Sequence, residues 1–194
     1  MKYEVTSLNT KKLFAEALKE IVVQKSFSKV TVSELIRACN VNRKTFYYHF
    51  TDVYDLLKWT LEQEAIDVVK KFDLIVDYEE VILFVMDYIE KNDVFLRNIY
   101  HSVGIDDLKR FFYTDFIEII TSIIKQIETV NKVTLPKEFE TFLSCFYTEA
   151  IAGTLLEWIV NKEKYDRQQT IDYISVIFRT GLPAAIMQYS DEAK

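Results

Sequence analysis

The chain has 194 residues, 49% of them hydrophobic and 28% charged, with a net charge of −6, three glycines and two prolines. That supports one large or two small packed domains, and so few helix breakers beside many Leu, Ile, Glu and Lys point to an all-α protein. The longest purely apolar run, VILFVM at residues 81–86, is far short of a bilayer span, and MKYEVTSLNT has no signal-peptide core, so a cytoplasmic protein is expected. Cys39 and Cys145 stand alone beside only two histidines, so buried thiols are expected rather than a metal site or disulfide, and no cofactor is implied. Charge is uneven. Residues 1–60 hold 10 Lys+Arg against 6 Asp+Glu, a net of +4, and the remainder 14 against 24, a net of −10. A basic first third on an acidic body is the asymmetry of a nucleic-acid-binding head.

Residues 10–25 carry a helical stripe of Leu13, Phe14, Ala17, Leu18, Ile21 and Val22. SFSK breaks it. Thr31 with Glu34 forms a capping box that opens a second helix, whose core face is Leu35, Ile36 and Cys39. Asn40 tolerates the left-handed turn conformation, Val41 plugs the angle, and Asn42 caps a third helix from Arg43 to about Phe50. In NRKTFYYHF, residues 42–50, Phe46 and Phe50 share one face as anchors. Arg43, Lys44, Thr45, Tyr47 and His49 then look outward together at and near the helix N-terminus, where a recognition helix reaches base edges and phosphates. This is the helix-turn-helix plan, and an ordinary helical corner does not need that polar face.

TVSELIRACNVNRKTFYYHF (31–50) followed by DVYDLL (52–57) resembles the DNA-binding domain of the TetR/AcrR family of bacterial transcription regulators. FYYHFTDVYDLLKW is closer still to the branch containing dihydroxyacetone kinase regulators. Three departures stand out: Asn40 for the usual turn glycine, Ser26 for a loop glycine, and Val53 for a lysine that contacts phosphate. The resemblance implies a DNA face of Thr31, Ser33, Asn42, Arg43, Lys44, Thr45, Tyr47, Tyr48 and His49. Within it Tyr47 and His49 are carried over as backbone contacts with Thr31 and Lys44 in support. Arg43, in the first turn after the Asn42 cap, is expected to read a base, a phosphate contact or a solvated surface charge being the alternative.

A fourth helix, capped by Thr51 or Asp52, runs on through Val53, Leu56, Leu57, Leu61, Val68 and Phe72 and joins head to body. Further helices are expected at about 78–92, 93–102, 106–129, 136–161 and 168–180, with Asp77 or Tyr78, Gly104, Pro136, Asp166 and Gly181 near their ends. The division is a helix-turn-helix domain at 1–52 and a helical ligand-sensing and dimerisation domain at 53–194. In the resembling family the last two long helices build a dimeric four-helix bundle. Here that implies an interface of Phe146, Ala150, Gly153, Thr154, Trp158, Ile174 and Phe178, with Gly153 at a close helix crossing. The family also holds a small-molecule pocket among its middle helices. Candidates are Phe84, Tyr88, Phe95, Tyr100, His101, Phe112, Tyr113, Phe116 and Tyr147, although aromatics at helical spacing are more often core.

The expected function is that of a homodimeric, sequence-specific regulator on a palindromic operator in double-stranded DNA. Its activity would answer to a small-molecule effector or partner protein. The competing reading is a helical adaptor with lost or weak DNA binding, acting through protein contacts. No nucleophile elbow, phosphate loop or metal spacing points to an enzyme.

Overall fold

The described residues of the computed structural model, 2–66, 69–71, 78–161, 164 and 166–192, are helical apart from short turns. The helices are α1 (Lys2–Gln24), α2 (Val32–Ala38), α3 (Arg43–His49), α4 (Val53–Leu61), α5 (Tyr78–Lys91), α6 (Asp93–Val103), α7 (Ile105–Asn131), α8 (Lys137–Asn161), α9 (Arg167–Val176) and α10 (Leu182–Glu192). A 3-10 turn at Phe27–Lys29 precedes α2, and π-helical turns prolong α4 (Glu62–Ile66) and α9 (Ile177–Gly181).

Three expectations shift. The first helix begins at Lys2 rather than near residue 10. Among the described side chains before residue 10, Thr6, Leu8 and Asn9 are exposed and none is buried, so periodicity finds no core stripe in that stretch. The fourth helix turns π-helical at Glu62, and Val68, Phe72 and the expected boundary residue Asp77 lie outside the described residues. The last helix passes Gly181 and runs on as α10. Pro183 has no N–H to give and its ring would clash with the carbonyl four residues back. The wider π turn, closed by Leu182 N–H on Ile177 O, spares it that clash.

Packing divides the chain into two compact units, residues 1–67 with 92–108, and 68–91 with 109–194. In the first, Phe14, Leu18 and Val22 of α1 are buried with Leu35, Phe46, Phe50, Leu56 and Leu57. The Phe14 ring stands edge-on to Phe46 at 5.3 Å and to Phe50 at 6.2 Å, the favoured aromatic geometry. Helix α6 belongs to this unit. Asn98 Nδ2 donates to Val22 O at 2.7 Å in the last turn of α1, and Ser102 Oγ accepts from Phe27 N at 3.0 Å. Cys39 is a buried thiol, its pKa pushed up to about 11 by burial and then by Glu16 and Glu20.

The second unit centres on Ile120, Ile123, Ile124 and Ile127 of α7, Leu143 and Tyr147 of α8, and Leu182 and Ile186 of α10. Helix α8 is long and apolar enough to cross a membrane by length and composition, but 44% of that apolar stretch is buried inside the fold. The α7–α8 connection is closed by charge. Buried Glu128 and Glu140 share Lys125, and Glu128 Oε1 accepts from Leu135 N at 2.5 Å. Lys132 takes the left-handed conformation (φ 56°) so that Val133 N reaches Glu128 O at 3.0 Å, ending α7 in a Schellman motif.

Candidate nucleic-acid interface

Helix α2 starts as its capping box requires. Thr31 Oγ1 accepts from Glu34 N at 3.3 Å, and Glu34 Oε2 accepts from Thr31 N at 3.0 Å and from the Thr31 hydroxyl at 2.8 Å. Lys25 Nζ adds a contact to Glu34 Oε1 at 2.6 Å. Lys25 first, then the Thr31 donors, hold the Glu34 pKa at about 2. The helix ends in a second Schellman motif: Val41 N donates to Ile36 O at 3.0 Å and Asn40 N to Arg37 O at 3.2 Å, with Asn40 left-handed at φ 51°. Asparagine thus fills the place of the family's glycine, because its short polar side chain tolerates that conformation. Asn42 Oδ1 then caps α3, accepting from Thr45 N at 2.9 Å and the Thr45 hydroxyl at 3.1 Å. Both turn geometry and helix start are set by groups no more than five residues apart in the chain.

With Phe46 and Phe50 buried as anchors, α3 turns Arg43, Lys44, Tyr47 and Tyr48 to solvent, Tyr47 at 50% and Tyr48 at 72% exposure. Large aromatic rings that open to water on the basic face of a short helix are what phosphate and base contacts use. Arg43 Nη2 donates to the Tyr47 hydroxyl at 3.2 Å. His49 is half-buried, with its pKa below the ordinary value because of burial and then the Lys11 charge, and Tyr48 stands edge-on to it at 4.9 Å. Lys11 itself lies 5.5 Å from both the Phe50 and Trp59 rings, a cation–π brace between α1 and the end of α3. Thr31 and Ser33 are exposed on α2, but the Thr31 hydroxyl hydrogen is committed to Glu34, and the Asn42 and Thr45 side chains to the α3 cap. All nine expected residues therefore fall on one unit, and three of them already serve helix starts.

The α4 N-terminus, where Val53 replaces the family lysine, is held by acids. Asp52 Oδ1 accepts from Asp55 N at 2.8 Å and Asp55 Oδ2 from Thr51 N at 2.8 Å. Two carboxylates there oppose a phosphate. Sequence reasoning passed over Lys12, Lys29 and Arg37, exposed in the same unit and without ion pairs among the described residues. The +4 balance of residues 1–60 was the available signal.

The apolar faces of α8 and α9 divide. Phe142 and Phe146, stacked at 6.1 Å, are 61% and 58% exposed, and Ala150, Gly153 and Thr154 continue that open stripe. A side chain added at Gly153 would meet nothing within 4 Å. On α9 and its π turn, Tyr173, Val176 and Ile177 are exposed, and none of these was expected at the interface. Trp158 and Ile174 are buried in the protomer and so fill its core rather than its surface. Phe178 packs on the core formed by α7, α8 and α10.

The ligand candidates fall in both units. Tyr100 and exposed His101 lie on α6 with Phe95, which is buried beneath Lys19. Phe84, Tyr88, Tyr113 and Phe116 are partly buried in the second unit, and the Phe112 side chain lies outside the described residues. Tyr147 is a core residue, edge-on to Phe178 at 5.4 Å.

Residues 14–58 match the family model "Bacterial regulatory proteins, tetR family", and residues 77–180, more than half the chain, match "Transcriptional regulator C-terminal region". A relative from Lactococcus lactis subsp. lactis (strain IL1403), the HTH-type dhaKLM operon transcriptional activator DhaS, is 20% identical over 161 residues, 83% of this chain and 85% of the relative. The structure of a dihydroxyacetone kinase operon activator DhaS is similar with a TM-score of 0.69 at 19% identity, covering 93% of this chain and 98% of that one. The structure of NalD, the secondary repressor of the MexAB-OprM multidrug efflux pump in Pseudomonas aeruginosa, is similar at 0.59 and 16% identity, covering 89% and 95%. These structural likenesses establish the fold.

Proposed function

The chain belongs to the TetR family of bacterial transcription regulators, and on that footing we propose that it binds a palindromic operator as a homodimer in the cytoplasm. The carrying observation is the α3 surface: Arg43, Lys44, Tyr47 and Tyr48 open to solvent behind a capped helix-turn-helix whose anchors are buried. A homodimer is supported by the open apolar stripe of Phe142, Phe146, Ala150 and Gly153, an exposure that monomers avoid. Two-fold pairing would set two α3 helices on half-sites a helical turn apart. Residues 1–52 are assigned to DNA and 53–194 to dimerisation and to sensing a small molecule or partner protein. The likeness to activators of a dihydroxyacetone kinase operon favours control of a metabolic operon of that kind.

Selection from a random duplex pool tests this reading. Enrichment of a two-fold symmetric sequence, with a dimer by sedimentation, is the expected result. The acids at the α4 N-terminus favour one second reading, an adaptor with weakened DNA binding. An adaptor shows no binding to random duplex even at low salt, whereas a regulator shows salt-dependent non-specific binding.

A further inference from the structure

Arg43 and Tyr47 stand four residues apart on α3 and so share one face. Besides the 3.2 Å hydrogen bond to the phenol oxygen, the guanidinium carbon lies 5.5 Å from the centre of the Tyr47 ring. Tyr47 is itself braced, edge-on to Phe46 at 5.5 Å, and Phe46 is fully buried edge-on to Phe14. Guanidinium, phenol and core thus stand in series. Lys44, the next residue, is exposed and has no such brace among the described residues. An unbraced arginine gives up large rotamer freedom on meeting a base, while a pre-set fork gives up less.

The hydrogen-bond inventory allows Tyr47 two simultaneous roles. A phenol has one hydrogen and two lone pairs. The Arg43 bond occupies a lone pair and leaves the hydrogen for a phosphate oxygen. The guanidinium keeps its other donors for the O6 and N7 of guanine.

We propose that Tyr47 is a positioning residue for base reading: anchored on a phosphate, it presents the Arg43 fork to a guanine edge, so that backbone contact and base contact act as one unit. This rests on α3 being the DNA-reading helix. It makes Tyr47, an uncharged residue outside the base edge, a determinant of specificity.

The test is selection from a random duplex pool by the full chain, Arg43→Ala, Tyr47→Phe and the double variant, each matched to the parent in helicity. Tyr47→Phe keeps the ring and its contacts and removes only the oxygen. The parent should enrich a palindrome, and Arg43→Ala should flatten one symmetric pair of positions. Tyr47→Phe should lower discrimination at that same pair by about three- to tenfold, the worth of one solvent-screened, charge-assisted hydrogen bond. It should also weaken all duplexes without changing the salt slope, since a phenol displaces no counterion. In the Arg43→Ala background the same change should alter no position. A uniform loss with unchanged preference in Tyr47→Phe overturns the proposal while leaving DNA reading intact. So does an equal loss of preference with and without Arg43. Failure of the parent to enrich any sequence refutes the DNA reading and the proposal together.

Discussion

Lys125 on α7 is the cation shared by two buried carboxylates, 2.8 Å from Glu128 Oε2 and 2.6 Å from Glu140 Oε2. Glu128 and Glu140 are only 5% and 3% exposed. Each keeps one other donor, Leu135 N for Glu128 and Lys137 Nζ at 2.9 Å for Glu140. Lys125→Met preserves the aliphatic stem and removes the charge. Deleting one partner of a fully buried pair costs about 3–5 kcal/mol; with Lys125 half exposed and a donor left on each acid, about 2 kcal/mol is expected. For a chain of this size that lowers Tm by roughly 4–8 °C. The pH dependence separates charge from packing. Lys125 first, and then Lys137, hold the Glu140 pKa below its ordinary 4.5. A depressed carboxylate pKa stabilises fully above 4.5, and that contribution is lost as the pH falls below it. In the variant this hold is weakened while burial still favours the protonated acid, so the gap to the parent should be full at about pH 7.5 and narrower at about pH 3.5, below the ordinary carboxylate value. Thermal unfolding followed by circular dichroism at both pH values measures it. Equal losses at the two pH values, or no loss, would refute the charge-knot reasoning.

Gly153→Leu places a bulky side chain on the open α8 stripe. Sedimentation should show a monomer or a much weakened dimer with helicity retained, and an unchanged dimer would put the interface elsewhere. At the left-handed turn position, Asn40→Gly should hold or slightly raise thermal stability, and Asn40→Val should lower it by about 1–2 kcal/mol. Lys44→Ala should weaken binding to all duplexes and reduce the salt slope by about one, while the preferred bases stay the same. Lys25→Met removes the largest cause of the Glu34 shift, so a carboxyl titration by NMR should find that pKa moved up from about 2 towards 4.5. In the parent the capping box is complete above 4.5 and is lost as the pH falls towards 2.

What the sequence by itself determined lies within short spans of chain. The Thr31–Glu34 box, the Asn40 turn and the Asn42 cap each join groups no more than five residues apart, so local spacing carries the whole geometry. The Arg43–Tyr47 pair was readable in the same way, from its spacing of four, although only the structure shows the bond made. Helix α8 was different. It is apolar around most of its circumference, so periodicity cannot separate Trp158, which is buried, from Phe142 and Phe146, which are open. The place of Tyr147 in the core rather than on a surface is set by α7 and α10, whose apolar side chains pack with it. The burial of Glu128 and Glu140 has no signature in the sequence, because their shared partner Lys125 lies 3 residues from one and 15 from the other, a coincidence that only chain reversal after α7 creates. The helix continues beyond Gly181 because a π turn absorbs Pro183, a backbone adjustment with no side-chain signature. Contacts within a turn or two are written in residue order, whereas faces and buried charges are chosen by neighbours far along the chain.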